Sequence, residues 1–166
     1  MAAPCFITWN GLSNALTAPL AGAATNATTT VKTMLQVKAG VGKIRVVEWG
    51  YRFLAAPTAP VHMELIETGT VFATVTTGNI LAYNDVTGPV SLAPTGTAAT
   101  GFTSTAEGTI TASRLLADTL DSGTYFSQQF PLGREPEINA GACLRIRATP
   151  GTAAATTVVC YVAWEE

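Results

Sequence analysis

The chain has 166 residues, a formal net charge of −2 and a charged fraction of only 12%, about half of the ~25% usual in soluble domains. Nine Lys and Arg residues are too few for a protein that binds nucleic acid by neutralising many phosphates. A 48% apolar content argues against disorder over the whole length, and no uninterrupted apolar run approaches the ~20 residues of a membrane-spanning helix. Alanine and threonine, 27 of each, stand where charge is missing. One domain is the expectation at this length, because ~150 residues bury about 68–70% of their unfolded surface.

At the start, Ala21-Gly22-Ala23 has the look of a small-residue cleavage site. The first basic residue is Lys32, however, and Asn10, Ser13 and Asn14 interrupt the apolar stretch, so a secretory signal is not expected. The Asn26-Ala27-Thr28 sequon then carries little weight. Residues 1–30 are expected to form an extended Ala/Thr-rich arm, although Cys5-Phe6-Ile7-Thr8-Trp9 has strand character.

From residue 31 onward the period is two. Val31, Leu35 and Val37 alternate with Lys32, Gln36 and Lys38, the pattern of a half-buried strand. Residues 43–53 form a second strand rich in β-branched and aromatic types, and its parity slips at Val46-Val47, which predicts a bulge or a strand covered on both faces. Val61–Glu67 and Thr70–Thr77 predict a hairpin closed at Thr68-Gly69, where glycine supplies a positive φ. Residues 84–106 have almost no periodicity and are expected to make a long excursion. Residues 109–120 lean to strand. Thr124–Phe130 is a strand ended by Pro131, and 142–148 is a strand with Leu144 and Ile146 buried and Arg145 and Arg147 in water. Residues 156–165 are apolar on both faces, as in a strand at the centre of a sheet. The sum is an all-β, single-domain antiparallel β-sandwich of about eight strands, jelly-roll-like, spanning 31–166.

The residues offer little chemistry. His62 and Glu64 share a strand face, but no third metal ligand is signalled, and a single histidine leaves no evident base for a Ser or Cys nucleophile. Glu64 and Glu67, Asp118 and Asp121, and Glu135 and Glu137 are carboxylate pairs of the kind usually just solvated. No phosphate loop, dinucleotide fingerprint or nucleophile elbow occurs. An enzyme is therefore not expected, nor is a cofactor. Cys5, Cys143 and Cys160 are odd in number and widely spaced, which suits reduced thiols better than a disulfide framework. Trp9, Trp49 and Trp164 are expected mostly in core or interface.

Five stretches carry a family likeness: Lys43-Ile44-Arg45-Val46-Val47-Glu48-Trp49-Gly50, the run Val61–Val71, Gly96–Phe102, Gln129–Glu137 and Cys160–Glu166. Together they resemble a family of virion structural proteins of tailed actinobacterial phages, from about residue 31 to the end. The resemblance implies a capsid decoration (cement) protein on the outer face of the shell, bound to the major capsid protein, trimeric as many such proteins are, and without catalytic residues. Partner contacts are expected at Arg134, Glu135 and Glu137, in the one charged run, and at Trp9 and Phe102, in the arm and the excursion. No contact with nucleic acid or membrane is expected. A second expectation is a fibre-tip or host-surface module that binds glycans, marked by exposed Trp9, Trp49 or Tyr83 around a concave surface.

Overall fold

The computed structural model describes residues 3–13, 17–123 and 125–166. Among them are thirteen strands: β1 (Cys5–Trp9), β2 (Ala23–Ala24), β3 (Lys32–Lys38), β4 (Ile44–Phe53), β5 (Val61–Glu67), β6 (Thr74–Thr77), β7 (Leu81–Ala82), β8 (Gly101–Ala106), β9 (Arg114–Asp121), β10 (Tyr125–Gln129), β11 (Glu137–Ile138), β12 (Cys143–Pro150) and β13 (Thr157–Glu165). They form two antiparallel sheets packed face to face, one ordered β10-β4-β13-β1-β7 with β2 and β11 attached, the other β6-β8-β3-β12-β5-β9. The all-β sandwich follows the alternation. The strand number exceeds the expected eight mainly because the two-residue strands (β2, β7, β11) carry too short a pattern to be read and the strand character of residues 5–9 is realised as β1.

The core lies between the sheets. Ile44, Val46, Trp49, Tyr51 and Phe53 of β4 and Val158, Cys160, Val162 and Trp164 of β13 face Met34, Leu35 and Val37 of β3 and Met63, Leu65, Leu144 and Ile146 of the other sheet. The parity slip in β4 is a bulge at Val47: Ala163 pairs with Glu48 and Trp164 with Val46. The extra residue lets Ile44 and Val46 share the core face with Trp49 and Tyr51. β13 is central, between β4 and β1, as its two apolar faces require.

Four expectations are corrected. Val61–Glu67 and the segment after it are not a hairpin, because β5 lies between β12 and β9 while β6 sits at the opposite edge on β8. Gly69 does adopt φ +55°, and Val71 donates from its backbone N–H to the Thr68 carbonyl at 3.1 Å. The turn redirects the chain across the sheet instead of reversing it, since two longer strands occupy both sides of β5. Second, Arg145 and Gln36 are fully buried, not wet, because this crossing segment covers them. Gln36 takes the Ala73 N–H at 2.8 Å and donates to the Ala99 carbonyl at 2.6 Å, while Arg145 donates to the carbonyls of Glu107, at 2.9 Å, and Val71. Third, the start of the 1–30 arm is a core strand. β1 pairs with β13 from Cys5↔Glu165 to Trp9↔Tyr161, with Phe6 and Ile7 buried. Fourth, the 84–106 excursion ends as strand β8, and its middle is tied back by a Thr95–Thr100 bridge.

Candidate functional site

Two surfaces stand out. The first is one end of the sandwich. The registers Cys143↔Lys38 and Leu144↔Glu67 in one sheet, and Ile138↔Ile44 and Glu165↔Arg45 in the other, bring the loops 39–43, 68–73, 83–100 and 130–142 to the same end. Their tips are apolar and open to solvent: Val41 (88% exposed), Val86, Val90 (91%), Leu92 and Leu132 (93%). These loops are held in place. The Glu166 carboxylate accepts the Leu92 N–H at 2.7 Å, the Trp164 indole N–H at 3.1 Å and the Ser91 hydroxyl. Gly141 donates to the carbonyls of Ala39 and Gly40 at 3.2 and 3.1 Å. Gly40 packs so close that a Cβ there would lie 2.1 Å from the Leu92 carbonyl oxygen, so the 39–43 turn and the 91–93 segment fit only with glycine at this position.

The second surface is a groove of about 540 Å³ on the outer face of the seven-stranded sheet. Its floor is set by register. Ser127, Gly50, Tyr161 and Trp9 lie in one row across β10, β4, β13 and β1, flanked by Gln129-Glu48-Ala163-Ile7-Leu81 on one side and Tyr125-Arg52-Val159 on the other. Gly50 makes the concavity: a Cβ there would sit 2.7 Å from the Tyr161 ring and 2.7 Å from the Phe126 carbonyl oxygen. Trp9 and Tyr161 pack with ring centroids 4.8 Å apart. Tyr83 and Tyr125 are the exposed aromatics of the rim, at 54% and 65%. Tyr161 donates its hydroxyl to Glu48, whose other oxygen accepts Gln129 Nε2 at 2.8 Å. Burial first, then the Glu48 carboxylate and the nearby Tyr125, push the Tyr161 phenol up, so it stays a donor at neutral pH. Arg52 is exposed and forms no ion pair among the described residues.

The five expected contact residues do not converge. Arg134 and Glu135 lie in the 130–136 loop of the apolar end, and Glu137 beside them pairs with Lys43 at 3.0 Å. Trp9 lies in the groove. Phe102, on β8, is half-buried and packs against the core, so it offers little to a partner. Of the glycan marks, Trp49 is fully buried and hydrogen-bonded to Gln128 at 3.1 Å, while Trp9 and Tyr83 do line the concave surface. His62 sits beside Asp118, and no group of three or more potential metal-ligating side chains stands together among the described residues. Of the paired carboxylates, Glu64 pairs with Arg147, Glu67 with Arg114 and Glu137 with Lys43. The three cysteines are free, with Cys143 and Cys160 buried in different sheets, and burial raises both thiols above their usual range.

Sequence reasoning missed Glu48, Gly50, Arg52, Tyr125 and Tyr161. Their signal was present in part, since the Glu48-Gly50-Arg52 alternation and the position of Tyr161 opposite Trp164 put each on an outward face. What aligned them was cross-strand register, which local pattern does not carry. Comparison with protein-family models, with curated proteins and with solved structures finds no match.

Proposed function

We propose that this protein is a structural component of a tailed-phage virion that decorates the assembled shell, seating its apolar loop end on the major capsid protein. The observation that carries this is convergence. All five stretches that resemble virion proteins run into the end where Val41, Val86, Val90, Leu92 and Leu132 are exposed. Monomeric proteins rarely gather exposed apolar side chains without a partner. Most of the charge at this end is matched within the chain, Lys43 with Glu137, Arg45 with Glu165 and Arg114 with Glu67, so the contact rests on shape and apolar burial, and many copies on a lattice add up weak single contacts. Three copies around a lattice position is the assembly expected from the family likeness. No reaction is assigned to the chain.

The test is co-sedimentation of the purified protein with shells that lack it, from the virion that encodes it. Binding is expected to change little as salt rises, because few charged contacts are screened. Val90→Ser with Leu132→Ser is expected to abolish attachment while leaving the melting temperature unchanged. Complete shells are expected to withstand more heat than deficient ones. Equal melting and equal DNA retention of the two would sink the stabilising role, and steep loss of binding with salt would sink the apolar mode.

A further inference from the structure

We propose that the outer groove over β4, β13 and β1 is a carbohydrate site that takes neutral hexopyranose units of an oligosaccharide. A pyranose has two kinds of surface, an apolar face of C–H groups and a rim of hydroxyls that both donate and accept. The groove has both complements. Trp9 and Tyr161, packed 4.8 Å apart, with exposed Tyr125 and Tyr83, supply aromatic faces, and stiff aromatic side chains give large contact area at low entropic cost. Between them β4 presents Glu48, Gly50 and Arg52 at every second position, all outward.

Glu48 is an acceptor in fixed position. Tyr161 and Gln129 each occupy one of its oxygens, and a carboxylate has about four acceptor sites, so capacity remains for a sugar hydroxyl. Arg52 is a donor with no ion-pair partner among the described residues. An acceptor and a donor of opposite charge in one groove match hydroxyls on different rings of one short chain; an oligomer of uronates spanning the groove would set one carboxylate on Arg52 and another against Glu48. A lipid chain would bury the Arg52 guanidinium without an ion-pair partner. The two lie four residues apart on a strand, about 13 Å, longer than one sugar ring, so the site takes a short oligosaccharide. Gly50 matters because any side chain there would strike the Tyr161 ring and fill the floor.

Trp49 and Trp164 are fully buried, so a tryptophan signal that responds to ligand reports on Trp9. The experiment titrates the full chain with maltotriose, cellotriose, mannotriose and galactotriose, and with trigalacturonate as the charged comparison, following indole N–H resonances. At least one neutral trisaccharide is expected to shift the Trp9 signal saturably. Tyr125→Ala, read by the Trp9 signal, and Trp9→Ala, read by calorimetry because it removes that signal, are each expected to weaken binding roughly three- to tenfold, the range of one lost aromatic contact. Tyr125 is exposed, so its variant tests the groove even if the Trp9 variant fails to fold. Leu120→Ala, exposed on the other sheet, is expected to change nothing. The proposal is overturned if no neutral trisaccharide moves the Trp9 signal, if only trigalacturonate binds, or if groove resonances respond to protein concentration alone, which would make the face a contact with a second copy. None of these outcomes depends on whether the loop end binds a shell.

Discussion

Replacing Glu107 by Ala is expected to destabilise the fold more than its partly exposed position suggests. Glu107 lies just after β8 with its side chain 24% exposed, and it faces Arg145, whose side chain is 0% exposed. The Glu107 carboxylate accepts the Thr33 N–H and the Thr33 hydroxyl, each at 2.6 Å, and the Ser104 hydroxyl, and it approaches Arg145 Nη1 at 3.4 Å. Its removal leaves a fully buried guanidinium held only by two carbonyls, those of Glu107 itself and Val71, and weakens the bonding of the buried Thr33. Breaking a buried pair from one side costs about 3–5 kcal/mol. For a domain of this size each kcal/mol moves the melting temperature by roughly 2–4 °C, so a fall of about 6–20 °C is expected.

The assay is urea and thermal denaturation of wild type, Glu107→Ala, Glu107→Gln and the double variant Glu107→Ala with Arg145→Met. The Gln variant keeps an acceptor for Thr33 and is expected to lose about 1–3 kcal/mol. The double variant is expected to recover part of the loss, because an apolar side chain of similar volume needs no counter-charge. A shift below about 1 kcal/mol for Glu107→Ala would mean that water reaches Arg145, and the role of this pair in holding the 68–73 crossing would fall.

Trp164 is fully buried, its ring centroid 6.1 Å from that of Phe6, and Trp164→Ala is expected to cost about 3–5 kcal/mol; an unchanged urea midpoint would refute the packing. Stability is also expected to fall above pH 10. Burial pushes the Tyr51 phenol up to about 12 against an ordinary 10, so between those values the unfolded chain has lost a proton that the native state keeps, and the equilibrium moves toward the unfolded state as pH rises. Tyr51→Phe, which keeps the ring, is expected to flatten that decline; an identical slope in the variant would show that Tyr51 ionises as freely in the fold as outside it.

The sandwich was legible because alternation is a local property. The bulge at Val46-Val47 and the two-sided β13 each state their environment within a few residues, and the structure agrees; Val31–Lys38 announces a strand, though not the cover over its Gln36 face. Pairing was not legible. Thr68-Gly69 has every mark of a hairpin turn, yet β5 finds longer partners in β12 and β9, and a turn signal says nothing about competing strands. Arg145 misled for a related reason: alternation placed it on the outer face correctly, but a segment more than seventy residues earlier in the chain covers that face. In the candidate site, Trp9 and Tyr83 were visible as exposed aromatics with no fixed place. The groove exists only once register lines up Gly50, Tyr161 and Trp9 in adjacent strands, and Gly50 shows its purpose only beside the ring it accommodates.

The scarcity of charge takes on a sharper meaning from where the charges sit. Five of the nine cationic side chains, Lys43, Arg45, Arg114, Arg145 and Arg147, are paired with carboxylates within the chain. A protein that commits its few charges internally projects little field, so it neither steers partners from a distance nor rejects them by charge. Recognition then depends on surfaces that fit. Among the described residues two such surfaces stand out, and they lie on different sides of the sandwich: apolar loop tips at one end, an aromatic groove on one face. Contact through the end leaves the face open, and contact at the face leaves the end free. Contact through the loops does not itself cover the groove, so the two proposals can be tested separately.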